Sequence, residues 1–417
     1  MNNQSLAELP TVTTQFESPT FPGPALATPK YYHAIGYLRA FIVALVVAHH
    51  AALAYFPLPF PPPVSLVAQP RLWQAFPVRD AHVSTGIIVF AGFNDAFFMS
   101  LMFFLSGLFV WHGLVQKGSA KFLKGRLLRL GIPFVVAAAI LAPLAYYPAY
   151  LRTASHTGVA GYWHQWRGLG NWPAGPAWFV WVLLTFDLIA TLLFVIAPGW
   201  GESLGRVISG VSRRPVVFFA GLVAISAIAY IPMELIFTST AWTAFGPFTF
   251  QTSRILHYLL YFLIAVGVGA CGLDRGLLAP HGKLARRWPL WVLTALVLFA
   301  AASVVTFIIL TTHTQSQIWA VARGTGFVLS CAASCFAFLA VFLRFAQSRS
   351  RLFDSLAANS YAIYLLHYAF VSWLQYALLP ASLPAVAKAA IVFLGALALS
   401  WLVAATIRRV PAVGRLV

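Results

Sequence analysis

Apolar runs long enough to cross a bilayer recur along the chain from about residue 34 onward. A spanning helix needs about 20 mostly apolar residues. Ten stretches qualify: 34–56, 87–113, 127–147, 176–197, 214–232, 255–272, 289–311, 320–344, 359–379 and 385–407. Polar positions bunch into the connections between them. The pattern therefore predicts an all-α integral membrane protein of about ten transmembrane helices. Pro57, Pro59, Pro61, Pro62 and Pro63 close the first helix, because proline lacks the N–H that the ladder needs and clashes with the preceding turn. Connections 57–86 and 148–175 fall on the same side and are rich in Trp, Tyr, His and Pro, so a structured rim is expected there. Residues 1–30 carry five prolines among Thr, Ser and Gln and read as a disordered tail without the basic start and apolar centre of a secretory leader. One transmembrane domain is expected over 31–410, with a short tail over 411–417.

Composition narrows the picture. Of 417 residues, 60% are hydrophobic and 9% are charged, against roughly 25% charged in soluble domains. So few charges cannot cover a soluble sphere, which excludes a soluble enzyme, and 15% aromatic content excludes a disordered chain. Net charge is +18, which in a soluble protein would suggest nucleic acid. Its distribution gives another cause. With ten spans both termini share a side, and 20 basic residues fall on that side against 7 on the other. The positive-inside rule makes the first side cytoplasmic and removes any need for a nucleic-acid partner. Cys271, Cys331 and Cys335 lie in apolar runs with no paired framework, so neither a disulfide scaffold nor a metal site is expected.

Ionisable groups inside a bilayer are costly and mark function by default. Arg39 and His50 are eleven residues apart, close to three helical turns, which puts them on one face about 16 Å apart along the axis. His49 points away from that face. A cation at the inner mouth with a titratable ring deeper in suits an anionic donor whose reactive end reaches the ring; the plainer alternative is a snorkelling arginine and a histidine bonded across helices. Phe103-Phe104-Leu105-Ser106-Gly107 precedes a basic turn, in which Lys117, Lys121, Lys124, Arg126 and Arg129 fall within thirteen residues. Such a turn suits phosphates or anionic lipid, and the small Ser106-Gly107 pair allows close helix approach. Asp187, below Trp178 and Trp181 on the fourth span, must be protonated, paired or wet. It is a candidate partner for an imidazole or an arginine, and Asp95, at a depth similar to His50, is its rival. The run Ser360-Tyr361-Ala362-Ile363-Tyr364-Leu365-Leu366-His367 puts one more histidine near mid-membrane.

These residues, in this order, resemble the acyltransferase-3 family of bacterial multi-pass membrane acyltransferases. The resemblance rests on Leu38-Arg39-Ala40 with His50, Phe103 to Gly107, Arg126-x-x-Arg129 before Pro133, Ala177-Trp178-Phe179-Val180, and Ser360-Tyr361 with Tyr364 and His367. It covers about residues 31–410 and is nearest in form to the glucan-modifying, succinyl-transferring branch. It implies transfer of a short acyl group, acetyl or succinyl, from a cytoplasmic acyl-CoA-like donor to a hydroxyl of a glycan or lipid-linked acceptor in the cell envelope. Acyl-CoA would be a co-substrate, with no tightly bound cofactor and no metal. Location would be the bacterial inner membrane, with membrane lipids as the other partners. His50 carries over as base or acyl relay, with Asp187 or Asp95 as its acidic partner. Arg39, Lys124, Arg126 and Arg129 become donor contacts, and His49, Ser106, Trp178, Tyr364 and His367 line the pocket. Many members place a Glu shortly after the fourth-span Trp; here Val180 to Phe186 has none, and Asp187 is the first acid. The competing class is a transporter or flippase for a small anionic or lipid-linked solute, since intramembrane His, Arg and Asp also make proton relays.

Overall fold

The computed structural model describes residues 29–58, 61–68, 72–313 and 316–414. The expected N-terminal tail, but for its last two residues, and the final three residues of the expected C-terminal tail lie outside these. Within them the chain is all-α apart from one two-stranded hairpin. The helices are α1 (Pro29–Leu53), α2 (Gly86–Gly107), α3 (Val110–Leu151), a short α4 (Gly158–Arg167), α5 (Trp178–Ile196), α6 (Trp200–Ser212), α7 (Pro215–Phe237), α8 (Ile255–Ala270), α9 (Trp288–Thr312), α10 (Gln317–Phe345), α11 (Arg351–Ala377) and α12 (Ala385–Ile407). The hairpin joins β1 (Trp242–Phe245) to β2 (Phe248–Gln251) in antiparallel register, Trp242 opposite Gln251 and Phe245 opposite Phe248.

Nine of the described helices are long and apolar enough to cross a membrane, and the protein is a multi-pass membrane protein. The tenth expected span, 359–379, is the C-terminal part of α11, which is less apolar. Its polar side chains are covered by protein: Asn359, Ser360, His367, Ser372 and Gln375 are all buried. A helix wrapped by other helices need not be apolar all round. α11 packs on α1, α12 and the last turns of α3. α1 sits centrally, covered by α2, α10, α11 and α12. α9 lies at the edge against α10, with Leu293, Leu296, Val304, Phe307 and Leu310 turned outward, as a lipid-facing surface requires.

Three expected boundaries move. The basic stretch 117–129, read as a turn, is helical: α3 runs through it with one break at Gly118 (φ 73°) and absorbs single π-turns at Leu127–Gly131 and Ala137–Leu141. α2 stops at Gly107 rather than 113. There a Cβ would lie 2.4 Å from the Phe262 carbonyl oxygen, so the Ser106-Gly107 pair does let α2 and α8 touch. α7 continues past Pro232 to Phe237. This keeps Glu234 on the helix, where it meets Arg323 at 2.7 Å.

Candidate functional site

A cavity of about 710 Å³ opens at the hairpin end of the bundle. Its walls come from the adjoining ends of α1, α2, α5, α8 and α11, with residues 72–76, 171–176 and the hairpin across the mouth. The rim connections anchor this arrangement. Trp73 Nε1 donates to the Leu66 carbonyl at 2.9 Å, Tyr146 Oη to that of Gln74 at 3.0 Å, and Trp181 Nε1 to that of Thr249 at 2.9 Å. Their aromatic side chains thus bury flat faces while the polar tips fix backbone.

His50, in the last turn of α1, lines this cavity. Its Nδ1 is 2.9 Å from the Val46 carbonyl oxygen and 3.2 Å from Nε2 of His367. The Nδ1 of His367 in turn lies 2.6 Å from the Tyr364 carbonyl oxygen. A carbonyl oxygen only accepts, so both rings carry their proton on Nδ1. His50 Nδ1–H is shared between the carbonyl and the His367 lone pair. His50 Nε2 then holds an unprotonated lone pair. The α1 terminus is held as well: the last carbonyls of a helix have no partner within it, and Gln375 Nε2 donates to those of His50 (2.8 Å) and Ala51 (3.1 Å).

The structure gathers His49, Asp95, Trp178 and Tyr364 around the same cavity, with fully buried His367 behind His50. Tyr364 Oη donates to the Pro176 carbonyl, and Trp178 meets Trp242 edge-on at 5.4 Å. The expected acidic partner of His50 is not found: both candidate carboxylates face arginines. Asp187, with no exposed side-chain surface, lies 3.2 Å from Arg126 Nε. Asp95 receives Arg254 Nη2 at 2.7 Å. An arginine balances the charge of a buried carboxylate better than a neutral ring can, and the helix packing leaves His367 as the group facing His50.

The remaining candidates lie elsewhere. Arg39, Lys124 and Arg129 are exposed at the opposite, basic end; no carboxylate among the described residues pairs with them. Ser106 Oγ donates to the Met102 carbonyl of its own helix at 2.8 Å and is no part of the cavity wall. Between the two ends sits Phe103, fully buried against Phe179, Phe186 and Tyr258. Sequence patterns alone did not single out Gln251, Tyr258, Tyr368, Gln375 or Trp242, all in or beside the cavity. Gln375 lies seven residues after Tyr368, about two turns on and so on the same α11 face, a signal that the helical period carries. The hairpin strands are only four residues each, too short for their alternation to show.

A family model described as an acyltransferase domain matches residues 32–405 of the chain. No curated protein and no solved structure matches it.

Proposed function

Because the chain belongs to the acyltransferase-3 family and is a membrane acyltransferase, we propose that it moves a short acyl group, of acetyl or succinyl type, from an acyl-CoA-like donor to a hydroxyl of a carbohydrate or glycan acceptor. One observation carries the assignment of roles: His50 lines the cavity with Nδ1 engaged on both sides and Nε2 left as a base. A sugar hydroxyl is a poor nucleophile. His50 Nε2 takes its proton as the oxygen attacks the acyl carbonyl. The C–O bond forms, the C–S bond breaks, and the departing thiolate takes the proton back. General-base help of this kind contributes about 10²–10⁴-fold. As the imidazolium forms, the Val46 carbonyl and His367 Nε2 both accept from its Nδ1–H. They fill the place that a carboxylate takes in Ser-His-Asp triads.

The donor's phosphates fit the basic end, where Arg39, Lys124 and Arg129 are exposed and Arg126 keeps 25% of its side chain open beside Asp187. Arg39 shares a helix face with His50, which supports a donor laid along α1 with its thioester toward the ring. We place the basic end in the cytoplasm of a bacterial inner membrane, by the positive-inside rule, and the cavity mouth on the envelope side where glycans are modified. The test is expression of His50→Ala at wild-type membrane abundance, with ester content of envelope glycans read by mass spectrometry. Loss of about 10²-fold or more is expected; an unchanged ester content would end this mechanism.

A further inference from the structure

Asp95 is the one carboxylate among the described residues that line the cavity, and those residues include no lysine or arginine. Its side chain is 49% exposed, whereas Arg254 behind it is 8% exposed. Arg254 grips it twice, Nη2 to Oδ2 at 2.7 Å and Nη1 to the Asp95 main-chain oxygen at 3.0 Å, and lies over the Phe327 ring at 4.5 Å. The carboxylate is therefore fixed from the protein side by Oδ2, while its Oδ1 has no hydrogen-bond partner among the described residues. Trp178, Trp242 and Gln251 complete the neighbouring wall.

This combination has a specific chemistry. A held carboxylate accepts hydrogen bonds from hydroxyl groups, and indole rings cover the apolar C–H face of a ring. An ion pair kept only as scaffold gains nothing from leaving its acid half open, since an open carboxylate is attracted less strongly to its partner. An acceptor bearing its own phosphate or carboxylate here would meet like charge, which acts against it.

We propose that Asp95, positioned by Arg254, receives a hydroxyl of the acyl acceptor, and that the cavity thereby selects an uncharged polyhydroxy ring over an anionic one. The proposal rests on the acyl-transfer reading above. A deletion strain is complemented with wild type, Asp95→Asn, and the double variant Asp95→Asn/Arg254→Gln. Ester content and position on extracted envelope glycans are read by mass spectrometry, and the melting midpoint is taken on the purified full-length proteins. Removing one charge-assisted hydrogen bond to the acceptor predicts about 10–100-fold less ester in Asp95→Asn. The double variant removes the unpaired arginine, so it recovers the melting midpoint but not the ester. Wild-type esters are expected on neutral sugar rings. The proposal is overturned if Asp95→Asn keeps its ester, if the double variant regains ester together with stability (Asp95 then being only a counter-ion), or if the esters sit on uronic-acid or phosphate-bearing rings. If wild type adds no ester at all over the deletion strain, the acyl-transfer reading itself fails, a result distinct from the other three.

Discussion

The two ends of this bundle differ in how fully they pair their charges. At the cavity end, cations deep in the protein are each matched with an acid: Arg254 with Asp95, Arg323 with Glu234, and Lys388 with Asp80. At the basic end, Arg39, Lys124 and Arg129 are exposed and have no carboxylate among the described residues. With only nine acidic residues in the whole chain, pairing is selective. Each deep cation of the cavity end has its acid, whereas the acids of the basic end pair Arg126, Arg275 and Arg349 and leave Arg39, Lys124 and Arg129 without one among the described residues. The first arrangement holds structure; the second leaves charge free to bind.

The largest effect that can break this contrast is at Lys388 and Asp80. Their side chains are 0% and 2% exposed and meet at 2.6 Å, with His82 Nδ1 3.0 Å from Asp80 Oδ1. The pair clamps the connection between α1 and α2 onto α12. Lys388→Met strands a buried carboxylate and is expected to destabilise by about 3–5 kcal/mol, and Asp80→Asn/Lys388→Met to recover most of it. Burial pushes the Asp80 carboxyl up, but the hydrogen bonds from Lys388 and His82 outweigh it and hold the group below the usual carboxylate range. A lowered acid favours folding above its unfolded value, about 3.9, and that stability is lost as pH falls through the folded value. Melting midpoints of the detergent-purified protein should therefore drop on acidification below about pH 4, and the double variant should lose this component of the drop. Equal midpoints for wild type and Lys388→Met would show that the pair is not structural.

The division between ends was partly legible beforehand. Helix count, the basic side and the placement of His50 above Arg39 follow from hydropathy and a 3.6-residue period, which need no tertiary information. Partners do not follow from it. Asp187 and Asp95 were both plausible mates for His50, and only the packing of α3 on α5 and of α8 on α2 assigns each to an arginine. His367 is 317 positions from His50; no local rule joins them. The hairpin is a different failure. Gly246 and Pro247 mark its turn, but its strands are held by Trp172, Trp178 and Trp181 from other segments, so the walls of the cavity mouth are a product of the fold.

The next effect sharpens the cavity end. His367 is assigned the role of holding His50 in one tautomer, not of touching substrate. His367→Phe removes the acceptor for His50 Nδ1–H and is expected to lower kcat by about 10²-fold with donor KM little changed. His367→Gln offers a side-chain oxygen at a similar reach and should recover part of the loss. Equal losses in both variants, with matching falls in melting midpoint, would make His367 a packing residue only.

The smallest effects belong to the basic end, and there the contrast is most exposed to refutation. Arg39→Ala should raise the KM for acetyl-CoA about tenfold, the lower range for a hydrogen bond to a charged group, and leave the melting midpoint unchanged. Lys124→Gln should raise it only a few-fold, since an exposed flexible ammonium contributes about 1 kcal/mol or less. Both effects should shrink as salt rises from about 0.05 to about 0.5 M, because exposed charges are screened over about 10 Å at 0.1 M. The Lys388→Met defect, buried away from counter-ions, should persist across the same range. Salt-independent losses at Arg39, or a melting midpoint that falls with its removal, would mean that the free cations are structural too.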